Sequence, residues 1–151
     1  MNIKMICCSV ALIALSSALS AQTPTNTPPN QTKLTSTIYD WEKMQPTTVS
    51  NGVRRLVFDG PTTTLDKINC HITTLNPGQQ SGEPRLHVQE EVVIVKEGMV
   101  EATYDGHSET IGPGSVIFFA SGATTRLRNP GKVPCTYTVI YYYYTPLTPK
   151  K

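Results

Sequence analysis

The segment Arg85-Leu86-His87-Val88-Gln89-Glu90-Glu91 brings a guanidinium, an imidazole and a carboxylate together in one short stretch. If the stretch is extended, Arg85 and His87 share a face, because side chains two apart on a strand point the same way. Arg85 is then a permanent cation whose planar fork of donors suits a carboxylate. His87 and Glu91 supply a titrating base and acid, or two donors for a metal ion. The plain structural reading of the same residues is an Arg85–Glu91 ion pair lining an inert pocket. At about 4 Å and an effective dielectric of about 20, that attraction is about 4 kcal/mol, largely offset by desolvation. The other two histidines carry less. His107 follows Asp105-Gly106 and is expected at an exposed hairpin position. His71 lies inside a strand-like run with its face undetermined, so it is either an ordinary strand histidine or a substitute ligand.

The elements that must position these groups read as strands. Short apolar or alternating segments are separated by Gly, Pro and Asn turns: Arg54–Phe58, Lys67–Leu75, Val92–Val95, Met99–Tyr104, His107–Ile111, Ser115–Phe119, Thr124–Arg128 and Cys135–Tyr144. Asp105-Gly106 is a strong two-residue hairpin signal. No stretch after residue 21 has a helical period. The spacing predicts an all-β sandwich or barrel.

With that frame in place, two motifs become legible. His87, Glu91 three residues later and Gly98 six residues after that resemble the first cupin motif: H-x-H, three or four residues, E, six residues, G. Asn76-Pro77-Gly78 resembles the turn that precedes it. The second motif is G, five residues, P-x-G, two residues, H, three residues, N. It is matched by Gly114, Gly122 and Asn129, with Ala120 at the Pro position and Thr125 at the third His position. From Leu75 to Asn129 the chain is therefore similar to the cupin superfamily. The resemblance implies a single jelly-roll barrel with an internal pocket, and homodimers are common in the family.

The resemblance also implies a metal site of three imidazoles and one carboxylate, suited to Mn, Fe, Ni, Cu or Zn. Here that set is incomplete. His87 and Glu91 occupy ligand positions, but Arg85 replaces the first His and Thr125 the third. A guanidinium has no lone pair to give, and a neutral hydroxyl is a poor ligand. The expected cofactor is thus none, or a weakly bound divalent transition metal. Arg85, His87, Glu91 and Thr125 form the candidate ligand pocket.

Around this domain the chain organises simply. Residues 1–21 read as a secretory signal peptide: Lys4, an apolar run from Met5 to Leu15, then small residues before Gln22. The run is short for a membrane span. Residues 22–37 are rich in Thr, Pro and Asn and read as a linker; 38–146 are the barrel and 147–151 a tail. Cleavage would leave two cysteines, Cys70 and Cys135, in an oxidising compartment, either bridged or as buried free thiols. A net charge of +2, with no basic cluster, argues against nucleic acid and against an anionic membrane surface. The run Tyr141–Tyr144 puts two tyrosines on each strand face, one for the core and one for a neighbouring strand or a dimer interface. If Thr125 points inward, Arg126 and Arg128 point outward into solvent. The functional expectation is an exported, periplasmic or extracellular, protein that binds a small, anionic molecule in the pocket. A metal-dependent oxygenase, isomerase or hydrolase with an altered ligand set is the alternative.

Overall fold

The computed structural model describes residues 32–144. The signal peptide expected over 1–21, residues 22–31 of the expected linker and the tail expected over 147–151 lie outside the described residues.

A single 3-10 turn, Trp41–Lys43, precedes ten strands: β1 (Thr47–Val49), β2 (Gly52–Gly60), β3 (Lys67–Leu75), β4 (Arg85–Leu86), β5 (Glu90–Glu97), β6 (Val100–Tyr104), β7 (His107–Ile111), β8 (Val116–Phe119), β9 (Thr124–Arg128) and β10 (Cys135–Tyr143). They form two antiparallel sheets, one of six strands in the order β1-β2-β3-β10-β5-β8 and one of four in the order β4-β9-β6-β7. β3, β7 and β9 have the expected bounds. β2 and β5 run past their expected bounds at both ends, β5 into Glu and Lys residues, because ladder pairing does not need apolar side chains there. β1 and β4 are the strands absent from the expectation: one is three exposed polar or β-branched residues, the other only two residues long. Neither length can show a period.

The layers meet where alternation predicts. Val93 and Val95 of β5, Tyr137 and Val139 of β10 and Leu75 of β3 pack from the large sheet against Val100, Ala102 and Leu127 of the small one. The β6–β7 hairpin turns at Asp105 (φ 45°) and Gly106 (φ 85°), the two left-handed residues of a type I′ turn. Asp105 Oδ1 then accepts from the Thr124 N–H at 3.0 Å, which docks the turn onto β9. His107 is exposed, as expected, with its ring 5.7 Å from that of Tyr104.

On the outer face of the large sheet, Trp41 lies between two cations, with Arg55 Cζ 4.4 Å and Lys96 Nζ 4.0 Å from the ring centre. Arg55 is on β2 and Lys96 on β5, so the indole spans the two strands between them. The segment ahead of it is tied at Leu34, whose N–H donates to Pro61 O at 2.8 Å.

Cys70 and Cys135, the cysteines among the described residues, are both buried free thiols. Cys135 faces Leu75 across the β3–β10 ladder, whereas Cys70 faces Ile140. Five positions of strand separate them, about 17 Å at roughly 3.3 Å per residue. A bridge needs Cα atoms within about 7 Å. Of the two states the sequence leaves open, the ladder selects the free thiols, and burial pushes both thiol pKa values up.

Candidate functional site

The segment that carries Arg85 and His87 is clamped along β9. Ser81 N–H donates to Leu127 O at 2.8 Å, and Ser81 Oγ accepts from Leu127 N–H at 3.1 Å. After a break around Gly82, β4 resumes the ladder with Arg85 opposite Thr125 and Leu86 opposite Thr124. His87 continues it, donating to Ala123 O at 3.1 Å and accepting from Gly122 N–H at 2.7 Å. Arg85 and His87 are thereby fixed on one face. Glu91 comes from β5, between Tyr141 of β10 and Phe119 of β8.

Three motif residues turn out to be structural supports. Asn129 is fully buried. Its Nδ2 donates to Leu75 O at 3.1 Å and Val133 O at 2.8 Å, and its Oδ1 accepts from Gly131 N–H at 2.9 Å. Gly98 has a φ of 71°, and a Cβ there would meet Pro134 O and Cys135 Cβ at 2.8 Å. Gly122 (φ 86°) supplies the N–H that holds the His87 carbonyl.

Arg85, His87, Glu91 and Thr125 all line one cavity of about 270 Å³ between the sheets. His87, Glu91 and Thr125 are buried, while Arg85 stands at the solvent side. Arg85 Nε donates to His87 Nε2 at 3.3 Å. That bond makes Nε2 the lone-pair nitrogen and leaves the ring proton on Nδ1, which faces Glu91 Oε2 at 3.7 Å. Burial, then the Arg85 charge, lowers the His87 pKa. Burial raises that of Glu91, with Arg85 opposing. Both effects favour a neutral imidazole and a carboxyl drawn toward its neutral form. The Arg85–Glu91 ion pair does not form: no Arg85 salt bridge exists among the described residues, and Arg85 reaches Glu91 only through its field. The guanidinium reaches the nearer partner, the imidazole two residues along the same strand face.

His71 is a strand histidine that faces the cavity. It lies on β3 in the opposite wall of the same cavity. Its Nδ1 is 2.8 Å from Oδ1 of the buried Asn69, which accepts the ring proton and leaves Nε2 as a free acceptor. Desolvation, helped by Arg54, lowers its pKa to about 4, so the ring is neutral near pH 7. Yet His71, His87 and Glu91 do not converge. Among the described residues no group of three or more His, Cys, Asp or Glu side chains is arranged to hold a metal. A metal of the kind the resemblance implies does not fit the donors present, because the His87 lone pair is engaged by a guanidinium and Thr125 offers only a hydroxyl.

The same cavity wall carries Arg54, Thr73 and Tyr137, residues the sequence did not single out. Arg54, Thr73 and Tyr137 stand in one row across β2, β3 and β10. Arg54-Arg55 places one arginine on each face whatever the register, so one of them had to face inward; the strand's partners decide which. Arg126 and Arg128 are only partly solvated, and Arg126 also lines the cavity. They straddle Glu101 of the neighbouring β6, at 3.9 and 3.5 Å, and are half-buried. Tyr141 packs against the core, and Tyr143 caps the rim by donating to Gln89 Oε1 at 3.3 Å.

Two antiparallel sheets folded face to face, with a polar pocket opening between them beside an apolar core, define a small jelly-roll barrel. Residues 71–141 match the model of the cupin domain family, Cupin_2. This region of the chain is a cupin domain. Solved structures agree in fold. An RmlC-like cupin from Shewanella frigidimarina superposes with a TM-score of 0.60 at 14% identity, covering 72% of this chain and 91% of that one. A cupin-superfamily sugar phosphate isomerase from Silicibacter pomeroyi gives 0.56 at 19%, covering 74% and 83%. A predicted oxalate decarboxylase from Thermotoga maritima gives 0.57 at 16%, covering 71% and 99%. No curated protein matches the sequence. At these identities the likeness is one of fold, and chemistry has to be argued from the site. No helix among the described residues is long and apolar enough to cross a membrane.

Proposed function

We propose that the protein is an exported cupin that binds a small anionic molecule in its barrel pocket, with Arg85 as the anchor. The observation that carries this reading is the 3.3 Å bond from Arg85 Nε to His87 Nε2. It puts a fixed cation on the lone pair a metal would need, and it leaves the remaining guanidinium donors facing an open cavity. A carboxylate suits those donors. Thr125, His87 and Glu91 then supply hydrogen bonds around it. The metal-dependent enzyme reading rests on the family alone. The protein is expected to hold no stoichiometric transition metal, and small carboxylates are expected to raise its melting temperature, since a ligand of the folded state stabilises it. Arg85→Gln should lose that rise. One equivalent of Mn, Fe, Ni, Cu or Zn surviving dialysis would overturn the reading.

The pattern of residues 1–21 supports export, to be checked by the N-terminal peptide of the protein recovered from its native host, expected to begin at Gln22. A homodimer completes the reading. Ile94, Val116 and Phe118 stand exposed beside one another on the outer face at the β5–β8 edge, an apolar patch suited to a second copy. Sedimentation of the Phe118→Glu variant as a monomer beside a dimeric parent would support it.

A further inference from the structure

Three arginines line the cavity; Arg126 is paired with Glu101, and the two that have no carboxylate come from different sheets. Arg85 is on β4 of the small sheet and Arg54 on β2 of the large one. Six other cations are engaged. Lys43, Lys67, Lys96, Arg126 and Arg128 each have a carboxylate within 4.0 Å, and Arg55 stacks on Trp41. Arg54 and Arg85 have no salt bridge among the described residues, although both are exposed at the mouth of a cavity that Glu83 and Glu91 also line. Glu83 is held by Gln80 Nε2 at 3.1 Å. Glu91 lies at the floor, where burial favours its neutral form.

The fields of the two arginines fall on different groups. Arg54 acts on His71 and Tyr137. Arg85 acts on His87 and Glu91. Arg54 pairs with Thr73 in the large sheet and Arg85 with Thr125 in the small one, so each wall of the pocket carries a cationic pole. The same walls carry uncharged hydrogen-bonding groups: Nε2 of His71 as acceptor, and the hydroxyls of Thr73 and Thr125. A single carboxylate on Arg85 leaves the Arg54 pole unanswered. A cavity of about 270 Å³ is too small for an extended polymer to enter.

We infer that the pocket takes a small dianion with an anionic group at each end, one end on Arg85 and the other on Arg54. This deepens the anion-binding reading above and rests on it. The shared requirement is two separated anionic groups, and a carboxylate or a phosphate satisfies either arginine.

Calorimetric titration of the full domain tests it, with butyrate, succinate, glutarate and 2-phosphoglycolate as probes. Succinate or glutarate is expected to bind roughly tenfold or more tightly than butyrate, as a second charge-assisted contact would give. Arg54→Gln should bring the dianions down to the affinity of butyrate while leaving butyrate unchanged. Arg85→Gln should weaken every probe. Whether a dicarboxylate or phosphoglycolate binds more tightly identifies the second anionic group, and either order supports the two-pole site. Equal affinity for butyrate and the dianions, with Arg54→Gln silent, would overturn the two-pole inference and leave the anion reading standing. Failure of all four probes to bind the parent would sink both. A melting temperature of Arg54→Gln equal to the parent's shows that the variant is folded, as its exposed, unbridged side chain leads one to expect.

Discussion

Arg85 and Thr125 are Cα partners across β4 and β9, so two imidazoles at these positions would face each other beside His87 and Glu91. Arg85→His with Thr125→His should therefore recreate a four-donor set. Equilibrium dialysis followed by elemental analysis is expected to find one Ni or Mn retained at roughly micromolar free metal. If none is retained, the alignment of these residues with the motif is wrong. His71 offers a second test at this scale. Its folded pKa is lowered from 6.5 to about 4. The unfolded chain then binds more protons in that window, so stability should fall as pH drops from about 6.5 toward 4. A loss of about 2 kcal/mol is expected, less than the full shift implies because the ring stays partly solvated. Glu91 works in the opposite direction, its raised pKa favouring the fold as pH falls. The comparison that isolates His71 is therefore urea denaturation across pH with His71→Gln, which should have the shallower slope. Legibility at this scale was uneven. Arg85, His87, Glu91 and Thr125 could be found because a spaced motif marks them. Arg54 and the acceptor role of His71 could not, because they depend on which strand lies beside which, and β10 pairs with β3 across a long stretch of sequence.

The strands were largely readable because they are bounded by turns whose chemistry is local. Lys67–Leu75 ends at Asn76-Pro77-Gly78, and the β6–β7 hairpin is set by Asp105-Gly106. The exceptions, β1 and β4, are held by their neighbours' ladders rather than by their own composition. β4 is the strand that carries Arg85, so the element most needed for the site was the one with least local signal. Glycines at element ends separate two kinds of constraint. Gly98→Ala meets both a left-handed φ and backbone contact with Pro134 and Cys135. Gly122→Ala meets the φ alone, with open space around the new methyl. Chemical denaturation should give a loss of about 3 kcal/mol for the first and about 1 kcal/mol for the second. Equal losses would mean that the β5–β6 turn yields to the added atom.

At the scale of the whole molecule, the two-layer architecture followed from strand spacing, but the state of the cysteines did not, because it depends on a five-residue offset along one ladder. Cys70 and Cys135 are expected to react with a thiol reagent only as the domain unfolds, and reductant should leave the melting temperature unchanged; a drop on reduction would show a bridge. The outer face of the large sheet has a consequence of another kind. Trp41 is the only tryptophan of the 151 residues, and it sits on the side of the sheet opposite the pocket, gripped by Arg55 and Lys96. Indole fluorescence in this protein is therefore a private optical channel for the N-terminal segment. It should change when that segment peels from β2 and β5, and stay constant when a ligand fills the barrel, so one emission signal tells loosening of the wrapper from occupancy of the interior.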